Sequence, residues 1–280
     1  MLFALARASV ALPILKWAGG KRALLPELLA RVPTEIGTYY EPFAGGAALF
    51  FRLADAPPFE RAVLADRNAE LINFYAVVRD RLPALSKVLE QAPQGEEMYY
   101  AVRDVDVSAL DDVARAARVV YLNRTCFNGL WRENRSGKFN VPYGHKVRAR
   151  LCDPARMKRA TEALANVQLL TGDFAQVVSK AKAGDFVYFD PPYAPVSATS
   201  KFTDYSGGGF DMDAQERLCQ VATQLRGRGV RVMLSNSDTR DIRVLYKDFK
   251  LSTVDAPRAI SARNVGRGVV RELLIEGSVG

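Results

Sequence analysis

The sequence predicts an α/β protein: a Rossmann-like, mainly parallel sheet with helices on both faces, interrupted by one inserted, mainly helical subdomain that carries a β-hairpin. Three observations predict it. Short apolar runs rich in branched and aromatic residues alternate with segments whose apolar positions fall three and four residues apart. Several of those runs end in Gly, Asp or Asp-Pro loops, the places where ligands collect in an open α/β sheet. The stretch 80–150 breaks the alternation.

Taken in chain order, Ala23 to Ala30 has helical spacing, Thr38 to Phe43 reads as the first strand, and Arg61 to Asp66 as the second. Glu70 to Arg79 returns to helical spacing and leads into the insert, which is mostly helical through about Asn123 and turn-rich from there to Arg150. After it come a helix at Pro154 to Ala165, a strand at Val167 to Thr171, and the buried-type strand Asp185 to Asp190. Helix Asp211 to Gly227, strand Val230 to Ser235, helix Asp238 to Tyr246 and strand Val269 to Glu276 complete the pattern, with an antiparallel strand expected at the end. Residues 1–79 and 151–280 are therefore expected to form one domain, and residues 80–150 an inserted recognition domain.

The 280 residues suit one domain with an insertion, at roughly 100 to 200 residues per domain. Hydrophobic residues make up 49% and charged residues 25%, enough for a full core and against disorder. No apolar run reaches the roughly 18 to 20 residues that span a bilayer, so no membrane role is expected. Lys+Arg 39 against Asp+Glu 31 gives +8 and favours polyanionic partners. Cys126, Cys152 and Cys219 are too scattered for a disulfide framework or zinc knuckle, which predicts a reducing, cytoplasmic setting and no metal. Arg7 interrupts the opening MLFALARASVALP, which also lacks a basic start, so it is not expected to be a signal peptide. The single histidine, His145, leaves catalysis to carboxylates, amides, aromatics or a cofactor.

Glu41-Pro42-Phe43-Ala44-Gly45-Gly46 falls between a strand and a helix, and its glycines let a ligand approach the backbone. It is neither a dinucleotide fingerprint nor a phosphate loop, because G-x-G-x-x-G is absent and Leu15 replaces the glycine required before Gly20-Lys21. Asp66 follows Gly46 at the spacing of a ribose-binding carboxylate, and Gly172-Asp173-Phe174 adds a carboxylate and an aromatic beside a third strand end. A nucleoside without pyrophosphate fits, and S-adenosylmethionine is one. The blander reading is a tight turn at Gly45-Gly46 with Asp66 capping the next helix.

Asp190-Pro191-Pro192-Tyr193 follows Phe186-Val187-Tyr188-Phe189 at the same sheet edge. An aromatic exocyclic amine is a poor nucleophile because its lone pair is delocalised. The Asp190 carboxylate and the Pro191 carbonyl would accept its two N–H bonds, Pro191 and Pro192 would stiffen the turn, and Tyr193 would stack on the base. Positioning does most of the work in such a site.

These motifs, in this order, resemble the Dam-type family of DNA adenine-N6 methyltransferases from Leu15 to about Glu276. The resemblance implies a methyltransferase sheet, S-adenosylmethionine as cofactor and double-stranded DNA as partner. Through Leu15-Lys16-Trp17-Ala18-Gly19-Gly20-Lys21 it implies that Trp17 and Lys21 contact the cofactor and that Lys16 reaches toward DNA. Glu41, Phe43, Gly45, Asp66, Asp173, Phe174 and Asp190 complete the expected cofactor set.

Arg124 to Arg150 holds seven basic residues, Arg124, Arg132, Arg135, Lys138, Lys146, Arg148 and Arg150, against the lone acid Glu133. Aromatics interleave with them at Phe127, Trp131, Phe139 and Tyr143, a pattern of phosphate neutralisation, stacking and base-edge reading. Asn-Gly-Leu-x-Arg followed by Gly-x-Phe-Asn-Val-Pro-x-Gly resembles the family's recognition hairpin. That makes Phe127 and Asn128 the wedge and space-filler, gives base contacts to Leu130 and Arg132, and adds Asn134, Lys138 and Pro142 to the DNA face. It also makes GATC the first expected target. Arg258 and Arg267 are expected on phosphates, and the loop Ala194 to Phe210 is long enough to close over DNA or cofactor. A monomer is expected, since no extended apolar seam is visible. RNA adenine, cytosine N4 and a DNA-binding regulator that has lost catalysis stay open as alternatives.

Overall fold

The computed structural model describes residues 11–17, 19–134, 136–146, 148–193, 210–257 and 269–277. A single 3-10 turn leads into α1 (Leu25–Leu29), followed by β1 (Ile36–Glu41), α2 (Ala48–Leu53), β2 (Phe59–Asp66) and α3 (Ala69–Asp80). Residues 80–150 hold α4 (Leu82–Gln91), α5 (Glu96–Asp104) and α6 (Asp112–Thr125). The chain then returns through α7 (Pro154–Leu164), β3 (Val167–Thr171), the single turn α8 (Phe174–Val177), β4 (Phe186–Phe189) and α9 (Met212–Gly227). It closes with β5 (Arg231–Ser237), α10 (Arg240–Leu245), β6 (Lys250–Pro257) and β7 (Val269–Gly277).

The seven strands lie in the order β3-β2-β1-β4-β5-β7-β6. The first five are parallel, while β7 runs antiparallel between β5 and β6. The chain builds outward from β1 to β3, then crosses back to place β4 on the other side of β1. That reversal opens a crevice beyond the carboxyl ends of β1 and β4, where an open α/β sheet takes its ligands. Glu41 and the Asp190 turn stand side by side there.

Alternate side chains along the strands feed two cores. Tyr39, Leu64, Phe186 and Tyr188 join one, with Leu28, Phe50, Leu71 and Phe74. Tyr40, Val63, Val187 and Phe189 join the other, with Leu218, Leu225 and Ile242 from α9 and α10. The first core runs without a break into the insert through Leu85, Leu89, Tyr99, Val119 and Tyr143, with α6 packed against α3. The sheet with helices on both sides is thus as expected, and the helices of residues 80–150 share the core of one face of it.

Three features differ from the sequence reading. The strand β6 was not expected, because an edge strand with one partner and half-exposed positions leaves no apolar run. Helix α2 has no polar stripe to reveal its period, since Leu49, Phe50, Phe51 and Leu53 are all buried. The hairpin is pinned at two isolated bridges, Cys126 to Tyr143 and Glu133 to Phe139. Side chains substitute for a continuous ladder there: Asn134 Oδ1 accepts from the Ser136 and Lys138 amides, and Arg132 Nε donates to Asn140 Oδ1.

Candidate active site at the β1–β4 crevice

Apolar burial drives β4 through the middle of the sheet, and its end delivers Asp190 into the crevice. Two donors meet Asp190 Oδ1: the Lys21 ammonium at 2.8 Å and the Ser235 hydroxyl at 2.9 Å. Ser235 lies on the adjacent β5, and its Oγ is also 3.0 Å from the Tyr188 hydroxyl. Burial pushes the Asp190 carboxyl up and the Lys21 charge opposes it. Lys21 Nζ also donates to Gly19 O and lies 4.5 Å from the centre of the Tyr193 ring. The Tyr193 hydroxyl donates to Glu272 on β7. Gln215 Nε2 of α9 donates to the Pro192 carbonyl at 3.1 Å, and Asn236 Nδ2 donates to Gln215 Oε1 at 2.9 Å. Four separate elements therefore fix the Asp190–Tyr193 turn at the end of β4.

At the end of β2, Asp66 Oδ2 accepts from the Gly45 amide at 3.0 Å and Oδ1 from the Asn68 amide at 2.9 Å. The Arg67 amide is a further backbone donor, and the acceptor capacity that the carboxylate retains suits the hydroxyl donors of a ribose. Gly45 has φ +46, and a Cβ there would come within 2.8 Å of Trp17 Cδ1, so only glycine lets the indole lie against this loop. Tyr75 OH donates to Gly45 O at 2.6 Å. Among the described residues, none beyond its two chain neighbours has a heavy atom within 4 Å of where a Cβ would stand on Gly172, which leaves room at the end of β3. Trp17, Gly45 and Asp66 thus form one wall, and these residues fit a nucleoside. Asp173 is paired to the Arg217 guanidinium, which lies 4.7 Å above the Phe174 ring. Phe174 is buried in an aromatic cluster with Phe43, Phe189 and Phe210.

Glu41 is buried beneath this wall and accepts from Tyr39 OH at 2.8 Å. Burial pushes its carboxyl up to about 8, with the neighbouring Asp190 adding to the rise. An unfolded glutamate ionises near its ordinary value, so between about pH 4.5 and 8 the folded state holds a proton that the unfolded state has lost. Stability should therefore fall as pH rises through that window, by on the order of a few kcal/mol. Glu41→Gln keeps the acceptor for Tyr39 without the charge and should flatten the decline in melting temperature from pH 5 to 9. Parallel declines in both proteins would remove Glu41 from this account.

In the insert, the turn after α6 leaves Phe127 45% exposed beside Asn128, which has φ +56. An exposed large aromatic at a tight tip is what a wedge requires. The Phe127 amide donates to the Pro142 carbonyl, which ties the two arms of the turn. Arg132 is exposed, with its guanidinium oriented by the Asn140 side chain and carbonyl, and Lys138 is exposed nearby. Leu130 is half-buried, and Asn134 spends its side-chain oxygen on its own turn. Lys16 is exposed. Arg124 is half-buried and donates through Nη2 to Ile14 O, while Lys146 Nζ donates to Arg124 O. These two cations bind the fold to itself, so at most part of the Arg124 donor set remains for a phosphate. Arg258 and Arg267, and most of the loop 194–210, lie outside the described residues.

Sequence reasoning missed Ser235, Asn236, Gln215, Glu272 and Arg217. Ser235 and Asn236 end the strand beside β4, so the strand-end rule that found Asp190 would have reached them. Among the described residues no group of three or more His, Cys, Asp or Glu side chains could hold a metal, and no helix is long and apolar enough to cross a membrane.

Residues 17–260 match the family described as D12 class N6 adenine-specific DNA methyltransferase. A type II methyltransferase of Lactococcus lactis subsp. cremoris is 41% identical over 94% of each chain. A type II methyltransferase of Methanocaldococcus jannaschii is 38% identical over 94% of this chain and 98% of its own. A DNA adenine methylase of Escherichia coli K12 is 35% identical over 93% of each chain.

Proposed function

The chain belongs to the D12 class of N6 adenine-specific DNA methyltransferases, and on that premise we propose that it methylates an adenine swung out of duplex DNA, within GATC. S-adenosylmethionine supplies the methyl group, as an electrophilic sulfonium. Trp17, Gly45, Asp66 and the Asp173–Phe174 turn would hold that nucleoside, with Asp66 accepting from its ribose hydroxyls. The observation that carries the reading is the braced Asp190–Tyr193 turn at the crevice.

Among the described residues both donors to Asp190 go to Oδ1, which leaves Oδ2 to accept one N–H of the target amine. The Pro191 carbonyl accepts the other. Accepting both N–H bonds turns the nitrogen lone pair out of the ring plane, and Tyr193 offers a face against which the base is held. No side chain need remove a proton beforehand. The Lys21 charge and hydrogen bond oppose the upward push of burial on the Asp190 carboxyl and so favour its ionised form. One chain supplies every group named, so a monomer suffices.

Extrusion of the base costs a few kcal/mol, and insertion of Phe127 beside the vacated position offsets part of that cost. Lys16 and Lys138 supply positive charge to the phosphates, and Arg132 reads a base edge. The GATC assignment rests on the Asn128–Arg132 turn and its resemblance to the family's recognition hairpin. Such an enzyme works on DNA in the cytoplasm of a prokaryotic cell, and kinship with type II methyltransferases fits a modification partner of a restriction endonuclease.

Arg132→Ala should relax discrimination at one base pair by about 1 to 3 kcal/mol, read as the ratio of kcat/KM on GATC and singly substituted duplexes. An unchanged ratio removes Arg132 from the reading set. Nucleoside analysis of a GATC duplex after reaction, with a second duplex carrying 2-aminopurine at the target position to report extrusion, tests the reading as a whole. N6-methyladenine with a rise in 2-aminopurine emission is expected. Methylcytosine, or methylation of RNA alone, would overturn it.

A further inference from the structure

Two residues of the cofactor-site wall, Trp17 and Asp66, are tied to the DNA-reading insert. The Trp17 indole, which lies against Gly45, stacks on Trp131 of the insert with ring centres 5.5 Å apart and planes 17° apart. Trp131 Nε1 donates to Glu133 Oε1 at 2.8 Å, and the same oxygen accepts from Asn68 Nδ2 at 2.9 Å. Asn68 in turn donates its amide to Asp66 Oδ1. Glu133 is the lone acid of a strongly basic segment, and its carboxylate joins Trp131 to the residue that braces Asp66. A third tie runs alongside. Asn123 Oδ1 accepts from the Lys16 amide, while its Nδ2 donates to Lys16 O and Gly129 O, fastening the segment before Trp17 to the Asn128-Gly129 turn.

We propose that Trp131 and Glu133 are positioning residues for S-adenosylmethionine, setting Trp17 and Asp66 from across the chain and so making cofactor binding and DNA recognition mutually dependent. The inference rests on the cofactor assignment above. Trp131 shares one backbone stretch with Leu130 and Arg132, so a duplex that shifts this stretch also shifts the indole against which Trp17 rests. Thermodynamic linkage makes the effect reciprocal: whatever the cofactor does to duplex affinity, the duplex does to cofactor affinity. Glu133 carries the second route, through Asn68 to Asp66, and the two routes share one carboxylate oxygen.

The test is calorimetric titration of S-adenosylmethionine into the full chain without DNA, for the wild type, Trp131→Ala, Trp131→Phe, Glu133→Ala and Glu133→Gln. Trp17 and Trp131 are the only two tryptophans, so intrinsic emission reads the stack in the same samples. Trp131→Ala and Glu133→Ala should each raise the cofactor Kd at least about fivefold. Phe, which keeps the stacking face, and Gln, which keeps the shared acceptor, should recover most of that loss. Duplex affinity measured with and without S-adenosylhomocysteine should differ in the wild type and converge in both alanine variants. Wild-type binding with an unchanged Kd in both alanine variants overturns the inference, and if Trp131→Ala does not fold, Glu133→Ala decides alone. A wild type that binds no S-adenosylmethionine instead overturns the cofactor assignment beneath it.

Discussion

Asp190→Asn is expected to lower kcat by roughly a thousandfold while duplex binding stays unchanged. The amide oxygen can still accept from Lys21 and Ser235, so the turn keeps its braces. The amide nitrogen then occupies the place of Oδ2 and points a donor at a donor, which holds the target amine away from its reactive geometry. Asparagine is the better test than alanine. Truncation would leave the buried Lys21 ammonium without its partner, a loss of roughly 3 to 5 kcal/mol that would mix folding with catalysis. Single-turnover methylation separates the chemical step from binding, and a gel-shift titration follows the duplex. Near-normal turnover would remove Asp190 from the chemistry.

Lys21→Met should move the pH dependence of turnover to higher pH. Lys21 is the charge that opposes the upward push of burial on Asp190. Without it the carboxyl holds its proton to higher pH, and the protonated form lacks the lone pair that accepts the amine. Turnover at pH 7 should fall, in the direction that loss of the opposing charge requires. It should recover as pH rises and Asp190 ionises, with the wild type reaching its plateau at lower pH. A loss that is the same at every pH would instead assign Lys21 to cofactor binding alone.

The crevice itself was legible in the sequence, because each of its edges is a short apolar strand stopped by a residue that must sit at an end. Glu41-Pro42, Asp66, Gly172-Asp173 and Asp190-Pro191 mark those ends, and the strands that carry them lie within two residues of their expected bounds. What joins the edges was not legible. Lys21 and Asp190 are brought together only when the chain crosses from β3 back to β4, and nothing local to either marks the other as a partner. Gln215 lies on an amphipathic helix where a polar residue usually faces water, yet here it is buried against Pro192 O. The insert shows the same limit in another form. Its sorted charge was plain, but Arg124 and Lys146 are turned to backbone carbonyls, and charge composition does not distinguish a cation on a phosphate from one on a carbonyl. The lone acid Glu133 stood out by sign, and only the fold revealed its two donors.

The measurement that bears most directly on the central claim is methylation of an unmodified plasmid by the purified protein with S-adenosylmethionine, mapped by single-molecule sequencing. The expected result is N6-methyladenine confined to GATC, lost with Asp190→Asn. Methylation at another short motif would correct the role given to the Asn128–Arg132 turn and leave the chemistry standing. No N6-methyladenine at any site, from a protein that binds its cofactor, would contradict the account.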